Sequence, residues 1–172
     1  MERHTLSQSG FTLIELITVI ILLGVLSVTA LPRFVNIQDD ALAASVQGTA
    51  TAFEAAVKLA HLKWAVGGNN GPVDNLDLYG NGLNEMDMNA NGWPVQSYPP
   101  YEANPLLDNA WDCTSVWGAL LLDGSPTVAE NTSADYQATY SANTCTFYLV
   151  DQPAYSIFYD SNTGQVTVDV TL

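Results

Sequence analysis

The sequence predicts an α+β chain: a long N-terminal helix, apolar in its first half and amphipathic in its second, packed on a C-terminal antiparallel sheet. Three observations predict it. Phe11 to Leu31 reads FTLIELITVIILLGVLSVTAL, with Glu15 its one charge. From Phe34 to Trp64 apolar residues recur at three- and four-residue steps, the period of an amphipathic helix. Four later stretches, Ala138–Ser141, Cys145–Val150, Tyr155–Tyr159 and Gln165–Thr171, are rich in β-branched and aromatic residues and read as strands.

The first stretch, as a helix of 21 residues, is roughly 31 Å long, enough to cross a hydrocarbon core. Before it stands a polar leader, MERHTLSQSG, ending in Gly10. A secretory signal peptide has a shorter apolar core with its small-residue cleavage site on the far side. Here the small residue lies on the near side and the apolar run continues into the amphipathic helix. That order implies a leader removed in the cytoplasm and an apolar segment that is kept. Arg3 ahead of the run agrees with a cytoplasmic leader.

The residues SQSG-FTLIEL resemble the class III signal of type IV pilins and pseudopilins. The resemblance implies cleavage by a prepilin peptidase between Gly10 and Phe11, with Phe11 then N-methylated. It also supplies a role for Glu15. A carboxylate inside an apolar segment costs roughly 2.5–3.5 kcal/mol on insertion scales. In the family the N-terminal amine of Phe11 on a neighbouring subunit pairs with Glu15, so docking satisfies two groups that are each costly alone in lipid. Glu15 is thus expected to be an assembly residue rather than a catalytic one.

After Leu31, Pro32 lacks a backbone donor and, with Gly24, marks a soft zone in the helix. Pilins of this kind carry Gly and Pro at such positions, which implies that Gly24 to Pro32 melts on assembly; a plain kink is the competing reading. The words PRFVNIQDDAL (Pro32, Arg33, Phe34, Asn36, Gln38, Asp39, Asp40, Ala41) resemble the mannose-sensitive haemagglutinin (MSHA) group of type IV pilins. That likeness covers the first sixty or so residues and is looser beyond. The apolar stripe runs through Phe34, Ile37, Ala41, Leu42, Val46, Thr49, Phe53, Ala56, Val57, Ala60 and Trp64. Asp39, Asp40, Glu54, Lys58 and Lys63 are expected to face outward, and GGNNGP at 67–72 ends the helix.

Charge bounds the partners. The formal net charge is −14, and from Ala65 to Leu172 thirteen Asp and Glu stand with no Lys, Arg or His. Such a surface repels nucleic-acid phosphates and anionic membranes, so no nucleic-acid partner is expected. Cys113 and Cys145 fall in the part expected outside the cytoplasmic membrane, where an even pair favours a disulfide over two buried thiols.

In the head, Val73 to Met88 reads as a loop with one or two short strands. Asp87-Met-Asn89-Ala-Asn91-Gly92 matches the first half of a calcium loop, with Asp87, Asn89 and Asn91 as oxygen ligands that could converge with Glu102. Tyr98 stands where the bidentate Glu would be, and the competing reading is a strand running into an Asn-Gly turn before Trp93-Pro94. SYPPYEANP is a Pro-rich connector. Asp112 to Leu122 has helical spacing, and Asp160 to Gly164 is a hairpin turn before a strand whose valines are expected to lie against the long helix.

No catalytic signature accompanies these elements. His4 goes with the leader and His61 stands singly on the helix. No G-x-S-x-G elbow, phosphate loop or His/Cys cluster is found, so a non-enzyme is expected. The organisation expected is a leader at 1–10, a transmembrane and polymerisation helix at 11–33, an amphipathic helix at 34–66 and a globular head at 67–172. The resemblance implies a subunit of a homopolymeric MSHA-like pilus, supporting adhesion and biofilm formation. Such a subunit is held in the inner membrane of a Gram-negative cell before assembly and lies outside the cell after it. A type II secretion pseudopilin shares the leader, Phe11 and Glu15, and a bitopic anchor with a binding domain is a third reading.

Overall fold

The computed structural model describes residues 10–80, 82, 85–97, 101–122 and 126–171, with the backbone alone at 29–36. The leader, apart from Gly10, and parts of the GNG and SYPPY loops lie outside the described residues.

One helix, α1 (Leu13–Val66), runs the length expected, with helical backbone through Gly24 and Pro32. Thr12 and Glu15 start it as a capping box: Glu15 Oε2 accepts from the Thr12 amide at 2.9 Å and hydroxyl at 2.8 Å, and Thr12 Oγ1 accepts from Glu15 N at 3.3 Å. Glu15 thus has a local partner besides the one the resemblance implies. Contacts divide the chain into two compact units, the second being Ala43–Leu172. Ile37 and Ala41 are exposed, and Val46 is the first buried side chain among the described residues.

Within the second unit, Val46, Ala50, Phe53, Val57 and Ala60 are buried. Phe53 is the hub. Its ring centroid lies 5.4 Å from Trp117, 5.6 Å from Phe147 and 5.7 Å from Tyr159. Offset and edge-to-face pairs of this kind add about 0.5–1.5 kcal/mol each beyond area burial. Both buried polar tips find partners: Trp117 Nε1 donates to Pro126 O at 2.9 Å and the Tyr159 hydroxyl to Pro94 O at 2.7 Å.

After α1 come β1 (Val73–Asp77), β2 (Glu85–Met88) and β3 (Pro94–Gln96), an antiparallel sheet in that order. Next is α2 (Ala110–Leu120), which starts two residues earlier than its apolar spacing implied. Its N-cap sets that start: Asn109 Oδ1 accepts from Asp112 N at 3.1 Å, while Asp112 Oδ2 accepts from Asn109 N at 3.1 Å. The larger sheet has the order β4 (Val128–Ala129), β5 (Tyr136–Ser141), β6 (Thr144–Leu149), β7 (Ser156–Asp160), β8 (Gln165–Asp169), antiparallel except for β4 with β5. The expected hairpin at 160–164 closes with Gly164 N donating to Asp160 O at 2.8 Å.

The β8 valines correct an expectation. Val168 pairs with Ile157 and Val166 with Tyr159, so they share the core face of the sheet. Yet Val168 stays 40% exposed and Val166 half-buried, because β8 is the sheet's edge strand and has no neighbour beyond it.

Two turns are locked under the end of α1. Gly164 has φ +71°, and a Cβ there would lie 2.2 Å from Trp93 Cε3; Gly92 has φ +75°, and a Cβ would lie 2.4 Å from Trp64 Cε3. Gly164→Ala is therefore expected to destabilise the head by about 2–4 kcal/mol, combining left-handed strain with overpacking against an indole. Chemical denaturation followed by tryptophan fluorescence checks this, and an unchanged midpoint would contradict it.

Candidate functional site

Two candidate sites stand out, the chain's N-terminal segment and the head residues at 87–91. Gly10 and Phe11 precede α1 in exposed backbone, Phe11 being 91% exposed. From Leu13 to Val28 the apolar side chains of α1 are exposed on every face of the helix, Leu13, Ile14, Leu16 and Ile17 among them. A helix apolar all round is stable only when something covers it, whether lipid or other helices. Among the described residues no helix is long and apolar enough to cross a membrane. The side chains of the run expected to span at 11–33 are described only as far as Val28.

Cys113 of α2 and Cys145 of β6 form a disulfide, with Cα atoms 5.6 Å apart. Both are fully buried beside the aromatic hub. The bond ties helix to sheet across 32 residues of chain.

The three residues read as calcium ligands are turned onto other partners. Asn89 Oδ1 accepts from the backbone amides of Asn91 at 2.9 Å and Trp93 at 3.0 Å. Its amide donates to Ser161 O at 2.6 Å, and that of Asn91 to Asn162 O at 3.3 Å. Residues 89–92 thus form the Asn-Gly turn between β2 and β3, pinned to the β7–β8 hairpin. His61 completes this corner, stacked 3.9 Å from Trp93 with Nδ1 2.7 Å from Gly92 O. Among the described residues no group of three His, Cys, Asp or Glu side chains is placed to hold a metal.

Asp87 lies apart from that turn, fully buried on β2. Its Oδ1 accepts from Asn75 N at 2.7 Å, an amide aimed by the positive φ of Asn75 (60°) at an irregularity in β1. Gln96 stands opposite in register, and Asp87 Oδ2 and Gln96 Nε2 are both buried with no hydrogen-bond partner. Burial, with the Asp74 and Glu102 carboxylates adding repulsion, pushes the Asp87 carboxyl up from 3.8 to about 6, against the lowering pull of the Asn75 amide. Sequence spacing had no signal for this, because the register that sets Gln96 against Asp87 depends on a bulge.

The sign of the linkage follows. The folded state holds this proton more tightly than the unfolded chain. The stability it contributes is complete below about 3.8 and is lost as pH rises through about 6. The loss amounts to roughly 3 kcal/mol at 1.36 kcal/mol per pKa unit. Asp87→Asn is expected to flatten the stability profile between pH 4 and about 7 and to raise the melting temperature at pH 7.5. A variant less stable than the parent at pH 7.5 would contradict this.

Fold and N-terminal segment together define the class. A long N-terminal helix followed by antiparallel sheet is the α+β architecture that the pilin resemblance implies, and the chain carries the N-terminal methylation motif. The family described as Prokaryotic N-terminal methylation motif matches residues 6–31. The chain is also similar to the type IV narrow pilus major component PilA5 of Thermus thermophilus, 49% identical over 51 residues. That match covers 30% of this chain and 44% of the relative's length, so it spans less than half of either protein. No solved structure matches the chain.

Proposed function

We propose that this chain is a structural, non-catalytic subunit of a type IV pilus of the MSHA kind, with adhesion and biofilm formation as its roles. The observation that carries the reading is a processing motif joined to a helix exposing apolar side chains on every face, with one carboxylate, Glu15, near its start. Prepilin peptidase cuts between Gly10 and Phe11 and methylates Phe11. The apolar run of residues 11–33 holds the subunit in the inner membrane. The assembly machinery then moves it into a fibre where neighbouring helices replace lipid, and Glu15 meets the Phe11 amine of the next copy. Gly24 to Pro32 is the stretch that melts on entry to the fibre. Similarity to a protein named as a pilus major component supports this reading, and the acidic heads coat the fibre.

Shearing cells that express the chain and imaging the released material tests it. Long fibres made of this chain are expected; their absence, with the chain held in short membrane-bound assemblies, would favour the pseudopilin reading. Gly10→Val is expected to leave the leader uncut, read as an unshifted band on an immunoblot. A mature-size band would move the junction elsewhere.

A further inference from the structure

Helix α2 buries one side and leaves the other open. Cys113, Val116, Trp117 and Leu120 enter the core, while Trp111, Thr114, Ser115 and Gly118, at i, i+3, i+4 and i+7, share the opposite side. Across from that side lies β4, the edge strand of the larger sheet. Two cavities of about 480 and 250 Å³ line up there and share Trp111, Thr114 and Val128. The larger is of the size that holds small molecules.

Gly118 keeps that cavity open. It stands inside α2, where glycine costs stability relative to alanine. Neither usual reason for a glycine applies: its backbone is helical, and a Cβ built on it would meet nothing within 4 Å. Gly118 lines the larger cavity, so any longer side chain would take space from it.

The lining also fixes the chemistry of a ligand. No ionisable side chain lines the larger cavity, and its four hydroxyls have all placed their protons within the protein. Ser97 donates to Glu85 O, Thr114 to Trp111 O at 2.8 Å, Ser115 to Asp112 O at 2.9 Å and Thr127 to Asp135 Oδ2 at 2.7 Å. Ser115 and Thr127 each accept one backbone amide as well, at 3.0 and 3.1 Å. What these oxygens still offer is lone pairs. Glu130, lining the smaller cavity, is a further acceptor. Trp111, 57% exposed, supplies an apolar aromatic surface. A fitting ligand therefore donates hydrogen bonds at its edge and presents C–H groups on its face. Anions are rejected by these acceptors and by a head without Lys or Arg. A flat aromatic ring has the face without the edge donors. A pyranose has both, with hydroxyls around a ring whose axial C–H groups form an apolar face.

We propose that the groove between α2 and β4 binds a neutral pyranoside glycan, with one ring against Trp111 and the next toward Glu130. As the ligand class for adhesion it rests on the pilus reading, since a fibre carries the groove to a surface; binding itself requires no fibre.

The test uses the full chain solubilised in dodecyldimethylamine oxide, a detergent without a sugar headgroup. Trisaccharides of glucose, mannose, galactose and N-acetylglucosamine are titrated, with tri-galacturonic acid as the charged control, and binding is read by saturation-transfer NMR. At least one neutral trisaccharide is expected to bind with a Kd at or below about 1 mM, and the acidic one not to bind. Trp111→Ala and Gly118→Leu are each expected to weaken binding at least about tenfold. Tyr148→Ala, which removes an exposed aromatic from β6, is expected to leave it within about twofold. Should Trp111→Ala lower the urea midpoint, Gly118→Leu, which removes no contact, decides. No binding by any neutral trisaccharide, equal binding of the acidic one, or binding unchanged in both groove variants would each overturn the proposal. Each leaves the pilus reading standing, because sheared fibres test that separately. Sugar binding by a chain that yields no fibres would keep the site and sink the pilus reading.

Discussion

Glu15→Gln is expected to cut sheared fibre by at least about tenfold while processed subunit accumulates in the membrane fraction. Glutamine is the informative replacement. The glutamate side chain also starts α1, accepting from the amide and hydroxyl of Thr12. Alanine would remove that cap, at about 1 kcal/mol, along with the charge. Glutamine keeps an oxygen to accept both bonds and loses only the charge. What remains is the loss of a partner for the neighbouring subunit's N-terminal amine. A buried charge left unpaired costs several kcal/mol, and each 1.4 kcal/mol is a factor of ten in an equilibrium. Immunoblots of sheared and membrane fractions from the same cells measure it. Fibre at parental levels from Glu15→Gln would show that the carboxylate serves the local cap and not assembly.

Replacing both Cys113 and Cys145 by alanine is expected to lower the stability of the head by about 3–4 kcal/mol, the chain-entropy value for a loop of this length. The double variant is preferable to adding a reductant, because both sulfurs are fully buried and reduction would wait on opening. The bond joins α2 to β6 immediately beside Trp117 and Phe147, whose ring centroids are 4.6 Å apart. Loosening it should therefore reach the hub that Phe53 of α1 enters. Tryptophan fluorescence during urea unfolding reads that hub directly. A midpoint within error of the parent would mean that packing alone holds α2 on the sheet.

Long, strongly periodic segments were legible before any coordinates. The single helix through residue 66, the four strands from β5 to β8 and the 160–164 hairpin follow from local preference, because helix period, β-branching and turn chemistry act over a few residues. The short elements were not. Val128–Ala129 and Pro94–Gln96 are too brief to show alternation, and they become strands only because a neighbour pairs with them. The N-cap Asn109 carries no apolar signal, and the apolar spacing begins at Cys113, three residues into the helix. Of the two readings at 87–92, the strand running into an Asn-Gly turn matches the fold: the asparagines serve the turn, and Asp87 sits in β2 opposite Gln96.

By itself the sequence determined the processing junction to look for, the apolar run with its one acid, the acidic head and the extent of α1. All of these are one-dimensional properties, carried by neighbours in the chain. The stripe read along α1 enters the core, where Phe53 meets Trp117, Phe147 and Tyr159. Only the tertiary structure decided which edge leaves the β8 valines open and that Asp87 is buried, because strand order and cross-strand register are set by partners far away in the chain.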